Sequence, residues 1–132
     1  MNKLKNLALV DDDEIFVFLT RKTIEKTNLV EQVKVFKNGL EAMNFLNENS
    51  NTPEQLPDII LLDLSMPVMD GWQFLEAYIN IKPRIGKQII VYIVSSTIAP
   101  DDLLRAKSIS EVTDFIIKPI TKDQMIEMLT AI

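Results

Sequence analysis

Asp58-Ile59-Ile60-Leu61-Leu62-Asp63-Leu64-Ser65-Met66-Pro67-Val68-Met69-Asp70-Gly71 is the stretch on which the fold turns. Its four consecutive apolar residues, Ile59 to Leu62, read as a short strand buried on both faces. The strand stops abruptly at a carboxylate, Asp63, and a turn rich in Pro, Asp and Gly follows. Beyond Gly71 the period changes to that of a helix, carried by Trp72, Leu75, Tyr78 and Ile79.

The same alternation extends towards the N-terminus. Leu7-Ala8-Leu9-Val10 is a second short apolar run, and it too ends in acid, Asp11-Asp12-Asp13-Glu14. From Glu14 to about Lys26 apolar residues recur at helical spacing in two overlapping sets: Ile15, Phe18 and Leu19, and Phe16, Thr20 and Thr23. Val30 to Phe36 alternates through Val33 and Val35 as a strand. Asn38-Gly39 breaks it, in what looks like plain turn chemistry, and Leu40, Ala42, Met43, Phe45 and Leu46 form another helical stripe. Asn47 to Pro57 reads as a surface loop.

Towards the C-terminus, Lys82 to Gly86 connects to a fourth strand, Ile89 to Val94, closed by Ser95-Ser96-Thr97. A short helix with a thin apolar stripe is expected over Asp101 to Lys107. Phe115-Ile116-Ile117 is a fifth strand ending at Lys118-Pro119. Thr121-Lys122-Asp123-Gln124 has the form of a capping box, opening a helix whose core face is Met125, Met128, Leu129 and Ile132. Five strands alternating with five helices predict an α/β fold, a parallel sheet with helices on both faces. Residues 1–132 are expected to form one domain.

Composition narrows the function. The chain has 132 residues, a net charge of -5 and no basic stripe, so no nucleic-acid partner is expected. No apolar run approaches the roughly 20 residues that span a bilayer, and acid arrives too early for a secretory signal, so a cytoplasmic location without membrane contact is expected. There is no Cys and no His. Thiolate or imidazole chemistry is thereby excluded, together with a phosphohistidine of the chain's own. Any reaction must run on carboxylates, hydroxyls, lysine and backbone.

In a doubly wound sheet, ligands bind outside the carboxyl ends of the strands. At those ends this sequence places Asp11-Asp12-Asp13, Asp63, Ser95-Ser96-Thr97 and Lys118. Each alone has an ordinary explanation: a helix cap, a turn, a loop, a surface pair. Together at one edge they describe a site. Converging carboxylates repel unless a cation balances them, and an all-oxygen donor set favours Mg²⁺. With a lysine and a hydroxyl to neutralise phosphoryl oxygens, the set suits phosphoryl transfer.

These residues resemble, over essentially the whole chain, the receiver domains of two-component response regulators, the CheY-like family. The match rests on Leu9 to Glu14, on Asp58 to Asp63 continuing through Met66-Pro67-Val68-Met69-Asp70-Gly71, on Val94-Ser95-Ser96 and on Phe115 to Pro119. The resemblance implies a flavodoxin-like sheet of order 2-1-3-4-5 and a stand-alone signalling switch rather than a turnover enzyme. It further implies phosphorylation of Asp63 by a sensor histidine kinase or phosphotransfer protein, and a signal passed on to a downstream protein not identified by the sequence. Mg²⁺ would be held by Asp11, Asp12, Asp63 and the backbone carbonyl of Ser65. Ser95 and Phe115 take the hydroxyl and aromatic switch positions, Lys118 pairs with the phosphoryl group, and its bond to Pro119 is expected to be cis. Asp13 is expected to cap the following helix instead. Two features depart from the family: Asp114 stands where Gly is frequent, and Ala99 to Ser110 is short and weakly amphipathic.

Two rivals share the architecture. Asp11-Asp12-Asp13 contains the Asp-x-Asp of aspartyl-nucleophile phosphohydrolases, but Glu14 replaces the small turn residue expected there. A flavin carrier would need a glycine- or hydroxyl-rich phosphate loop after the first strand, where three aspartates repel phosphate.

Overall fold

The computed structural model describes residues 3–97 and 99–131. Among these, strands β1 (Leu4–Val10), β2 (Val30–Phe36), β3 (Ile59–Leu62), β4 (Ile90–Ser95) and β5 (Val112–Ile117) form one parallel sheet of order β2-β1-β3-β4-β5. Helices α1 (Glu14–Thr27), α2 (Gly39–Glu48), α3 (Gly71–Ile81), α4 (Pro100–Ser108) and α5 (Lys122–Thr130) alternate with the strands.

The central strands are apolar throughout because both faces are covered. Ala8, Val10, Ile60, Leu62, Val91 and Ile93 point into a core shared with α2, α3 and α4. Their neighbours Leu7, Leu9, Ile59, Leu61, Tyr92 and Val94 point into the other, shared with α1 and α5. This is the two-residue period of a strand feeding two cores at once. Each fully buried aliphatic or aromatic side chain contributes about 1.5–3 kcal/mol, so the sheet's centre carries much of the stability.

Helix starts follow local chemistry. Asp13 caps α1, its Oδ1 accepting from the Ile15 and Phe16 amides at 3.1 Å each. Thr121 and Gln124 close the expected capping box on α5, and Asp70 with Gln73 forms a second on α3.

Several sequence expectations need correction. On α1 the inward set is Phe16, Thr20 and Ile24, whereas Ile15 is 74% and Phe18 60% exposed. The Asp13 cap sets the helix phase, and of two overlapping stripes only one meets the sheet. On α3, Phe74 is fully buried while Ile79 faces outward and Trp72 is half-buried. Leu40 on α2 is likewise exposed. Asn47 to Pro57 is more than a surface loop: α2 continues to Glu48, a 3-10 turn spans Pro53–Gln55, and Leu56 is fully buried. β5 begins three residues before Phe115, at Val112. Ile132 lies outside the described residues.

Candidate functional site

The chain runs from β1 outward to β2, then returns across β1 to β3. The crevice where strand order reverses therefore opens between the C-terminal ends of β1 and β3. Asp11 directly follows β1 and Asp63 directly follows β3. Backbone bonds fix both positions: the Asp11 amide donates to the Phe36 carbonyl and the Asp63 amide to the Val10 carbonyl, each at 2.9 Å.

Asp11 is 2% exposed. Its Oδ1 accepts from the Asp13 amide at 2.9 Å, and its Oδ2 pairs with Lys118 Nζ at 2.9 Å. Asp63 is also buried, with Oδ1 3.6 Å from Lys118 Nζ. Asp12 is exposed, yet one oxygen from each of Asp11, Asp12 and Asp63 lies within 4.8 Å of the others. Asp13 is occupied at the start of α1, as its capping role predicts.

Burial pushes the Asp63 carboxyl up to about 6, and the Asp11 charge adds to the push. Lys118 and a backbone hydrogen bond from Ser65 pull in the opposite direction without cancelling it. Burial likewise raises the Asp11 carboxyl, against its bonds to the Asp13 amide and Lys118. One lysine thus leaves the acidic group short of positive charge. Three carboxylate donors, no softer ligand and a deficit of cation fit a hard divalent ion such as Mg²⁺.

Lys118 arrives from the other side of the crevice. Its amide donates to the Ser95 carbonyl at 2.8 Å, and the Lys118-Pro119 peptide is cis. Its Nζ also sits 4.4 Å from the centre of the Phe16 ring, so an aromatic face and two carboxylates hold the ammonium. Ser95 is buried at the end of β4, its Oγ accepting from the Thr97 amide at 3.4 Å. Phe115 is half-buried against the α2-α3-α4 core, one strand further out. Its amide bonds the Asp114 carboxylate at 2.8 Å, which gives that unusual residue a backbone role.

Ser65 lies in a closed loop whose base is the Gly71 amide bonded to the Leu64 carbonyl at 3.1 Å. At its tip, the Met69 amide bonds the Pro67 carbonyl at 3.1 Å around Val68, which has φ 75°. A β-branched residue in the left-handed region is strained by about 1–3 kcal/mol, and such strain gathers near functional sites.

Two glycines beside this loop, read in the sequence as turn residues, have a spatial role that the sequence reading did not give them. A Cβ on Gly71 would stand 2.5 Å from the Asp63 carbonyl oxygen, and one on Gly39 would stand 2.8 Å from the Met69 carbonyl oxygen. The available signal was that α2 and α3 both begin with Gly immediately after their capping residues, where a better helix former is usual.

A crevice of this kind on this fold defines a signalling receiver, and comparison with known proteins agrees. The model of the response regulator receiver domain matches residues 7–130, and the chain belongs to that family. The chemotaxis protein CheY of Listeria monocytogenes is 33% identical over 121 residues, covering 92% of each chain. The crystal structure of a two-component response regulator from Cytophaga hutchinsonii superposes with a TM-score of 0.88 at 28% identity, covering 98% of this chain and 97% of that one. A response regulator receiver protein from Dyadobacter fermentans gives 0.82 at 26% identity, covering 96% of both. The protein is therefore a CheY-like receiver of two-component signalling. Among the described residues, no helix is long and apolar enough to cross a membrane.

Proposed function

We propose that this receiver takes a phosphoryl group onto Asp63 from a phosphohistidine of a separate sensor kinase or phosphotransfer protein. The carrying observation is the convergence of Asp11, Asp12 and Asp63 within 4.8 Å beside Lys118. Asp11, Asp12, Asp63 and the Ser65 carbonyl would hold Mg²⁺, which when bound supplies charge neutralisation for the transferring group. An Asp63 oxygen attacks phosphorus, the donor's N–P bond breaks, and the imidazole leaves with its electron pair. Lys118 contributes a second positive charge on the far side of the phosphoryl oxygens, and Ser95 contributes a hydroxyl.

A phosphoryl group drawing Ser95 inward would vacate space towards which Phe115 can move, coupling the crevice to the sheet's open edge. There, a groove of about 680 Å³ runs between β5 and α5, lined by Tyr92, Asp114, Ile116, Gln124 and Met128. We assign the contact with a downstream protein to this groove. The protein acts as a switch, with phosphotransfer and slow dephosphorylation as its only chemistry. Asp13 supports this over a phosphohydrolase, since the second acid of Asp-x-Asp is spent on the α1 cap.

Incubation with acetyl phosphate and Mg²⁺ tests the reading. A single phosphoryl group per chain is the expected result, and rapid turnover of small phosphomonoesters would contradict it.

A further inference from the structure

We infer that Gly39 is a positioning residue for the loop that carries Ser65; this rests on the reading of Asp11, Asp12, Asp63 and the Ser65 carbonyl as a Mg²⁺ site. The junction between β2 and α2 touches both halves of that site within four residues. At its start, the Phe36 carbonyl accepts from the Asp11 amide at 2.9 Å and fixes the first carboxylate. At its end, the Gly39 amide donates to the Met69 carbonyl at 3.0 Å and fixes the loop after β3.

The contact requires glycine for space. A Cβ at position 39 would meet the Met69 carbonyl oxygen at 2.8 Å, Met69 Cγ at 2.9 Å and Phe74 Cβ at 3.1 Å. The first of these is backbone and cannot rotate away, so the loop itself must give by several tenths of an ångström. The loop cannot absorb that locally. Its base is closed between Leu64 and Gly71, a Cβ-sized gap at Gly71 is already filled by the Asp63 carbonyl, and Asp70 is committed to capping α3. Displacement therefore passes to Ser65. Mg²⁺ demands nearly ideal octahedral geometry at about 2.0–2.1 Å, so a shift that a protein core would tolerate is large for the ion.

Mg²⁺ titrations by calorimetry on the intact folded chain decide the matter. Gly39→Ala should weaken Mg²⁺ binding at least tenfold. Gly86→Ala, with open space around its Cβ, should keep the wild-type affinity. Asn38→Ala, which removes the α2 cap on the Glu41 amide, should lower the melting temperature and leave Mg²⁺ affinity in place. Equal weakening in Asn38→Ala would show that helix stability, not loop position, is at work and would overturn the inference. Wild-type affinity in Gly39→Ala would overturn it directly. Should Gly39→Ala not fold, Gly39→Ala with Met69→Ala removes the contact with Met69 Cγ at 2.9 Å and keeps that with the Met69 carbonyl at 2.8 Å, and Mg²⁺ affinity equal to that of Met69→Ala alone would overturn the inference. A wild-type chain that binds no Mg²⁺ refutes the site reading itself, which the Gly39 results cannot do.

Discussion

Lys118 Nζ lies 2.9 Å from Asp11 Oδ2, closer than the 3.6 Å that separates it from Asp63 Oδ1. The lysine is therefore counter-ion to the most buried acid of the crevice. A divalent ion on the carboxylates would take over that duty and free the ammonium for oxygens added at Asp63.

Lys118→Ala should accordingly destabilise the metal-free protein by about 3 kcal/mol, because a buried carboxylate loses its partner. Saturating Mg²⁺ should recover much of the loss. Urea unfolding with and without Mg²⁺ measures both numbers. An equal loss in the two conditions would mean that the lysine and the ion do not share Asp11.

Asp63 makes stability depend on pH in a defined direction. Its carboxyl titrates at about 6 in the fold, against an ordinary value of 3.8, so the folded state binds more protons between those limits. Without metal, this group's contribution falls as pH rises from about 4 to about 6, and the penalty is fully present above that. Asp63→Asn should therefore be more stable than wild type at pH 7 by about 1–3 kcal/mol, and about equal to it near pH 3. Thermal unfolding across pH checks the crossover.

At the amino-terminal end of β3, Asp58 should behave in the opposite way. Lys87 Nζ bonds Asp58 Oδ1 at 2.7 Å, while Asp58 Oδ2 accepts from the Lys5 and Asn6 amides. Burial raises the Asp58 carboxyl, but Lys87 and the two amides outweigh it and hold it below its ordinary value. Its stabilisation is thus present above about pH 4 and lost as pH falls through the depressed value. Lys87→Ala should cost about 1–2 kcal/mol at neutral pH and leave phosphorylation unchanged. Acid unfolding of the variant should lack part of the wild-type slope.

What could be read from the sequence divides along physical lines. Ile59 to Leu62 and Leu7 to Val10 announced central parallel strands, because burial on both faces leaves a continuous apolar run. The acids at their ends came together because the fold brings strand ends to one crevice. The Thr121 capping box was legible because it is local. The inward face of α1 was not, since Ile15, Phe18 and Leu19 are as apolar as the residues that do face the sheet. The roles of Gly39 and Gly71 were hidden for a different reason: each leaves space for a backbone carbonyl, of Met69 and of Asp63, and nothing in a turn motif reveals that close approach.

Asp63 and no other carboxylate is proposed to take the phosphoryl group. Borohydride reduction of the acyl phosphate after treatment with acetyl phosphate and Mg²⁺, followed by peptide mass spectrometry, reads the position directly. Homoserine is expected at position 63 alone, and is expected to be absent when Mg²⁺ is chelated or when the starting chain is Asp63→Asn. Trapped product at Asp11 or Asp12, or full labelling of Asp63→Asn, would contradict it.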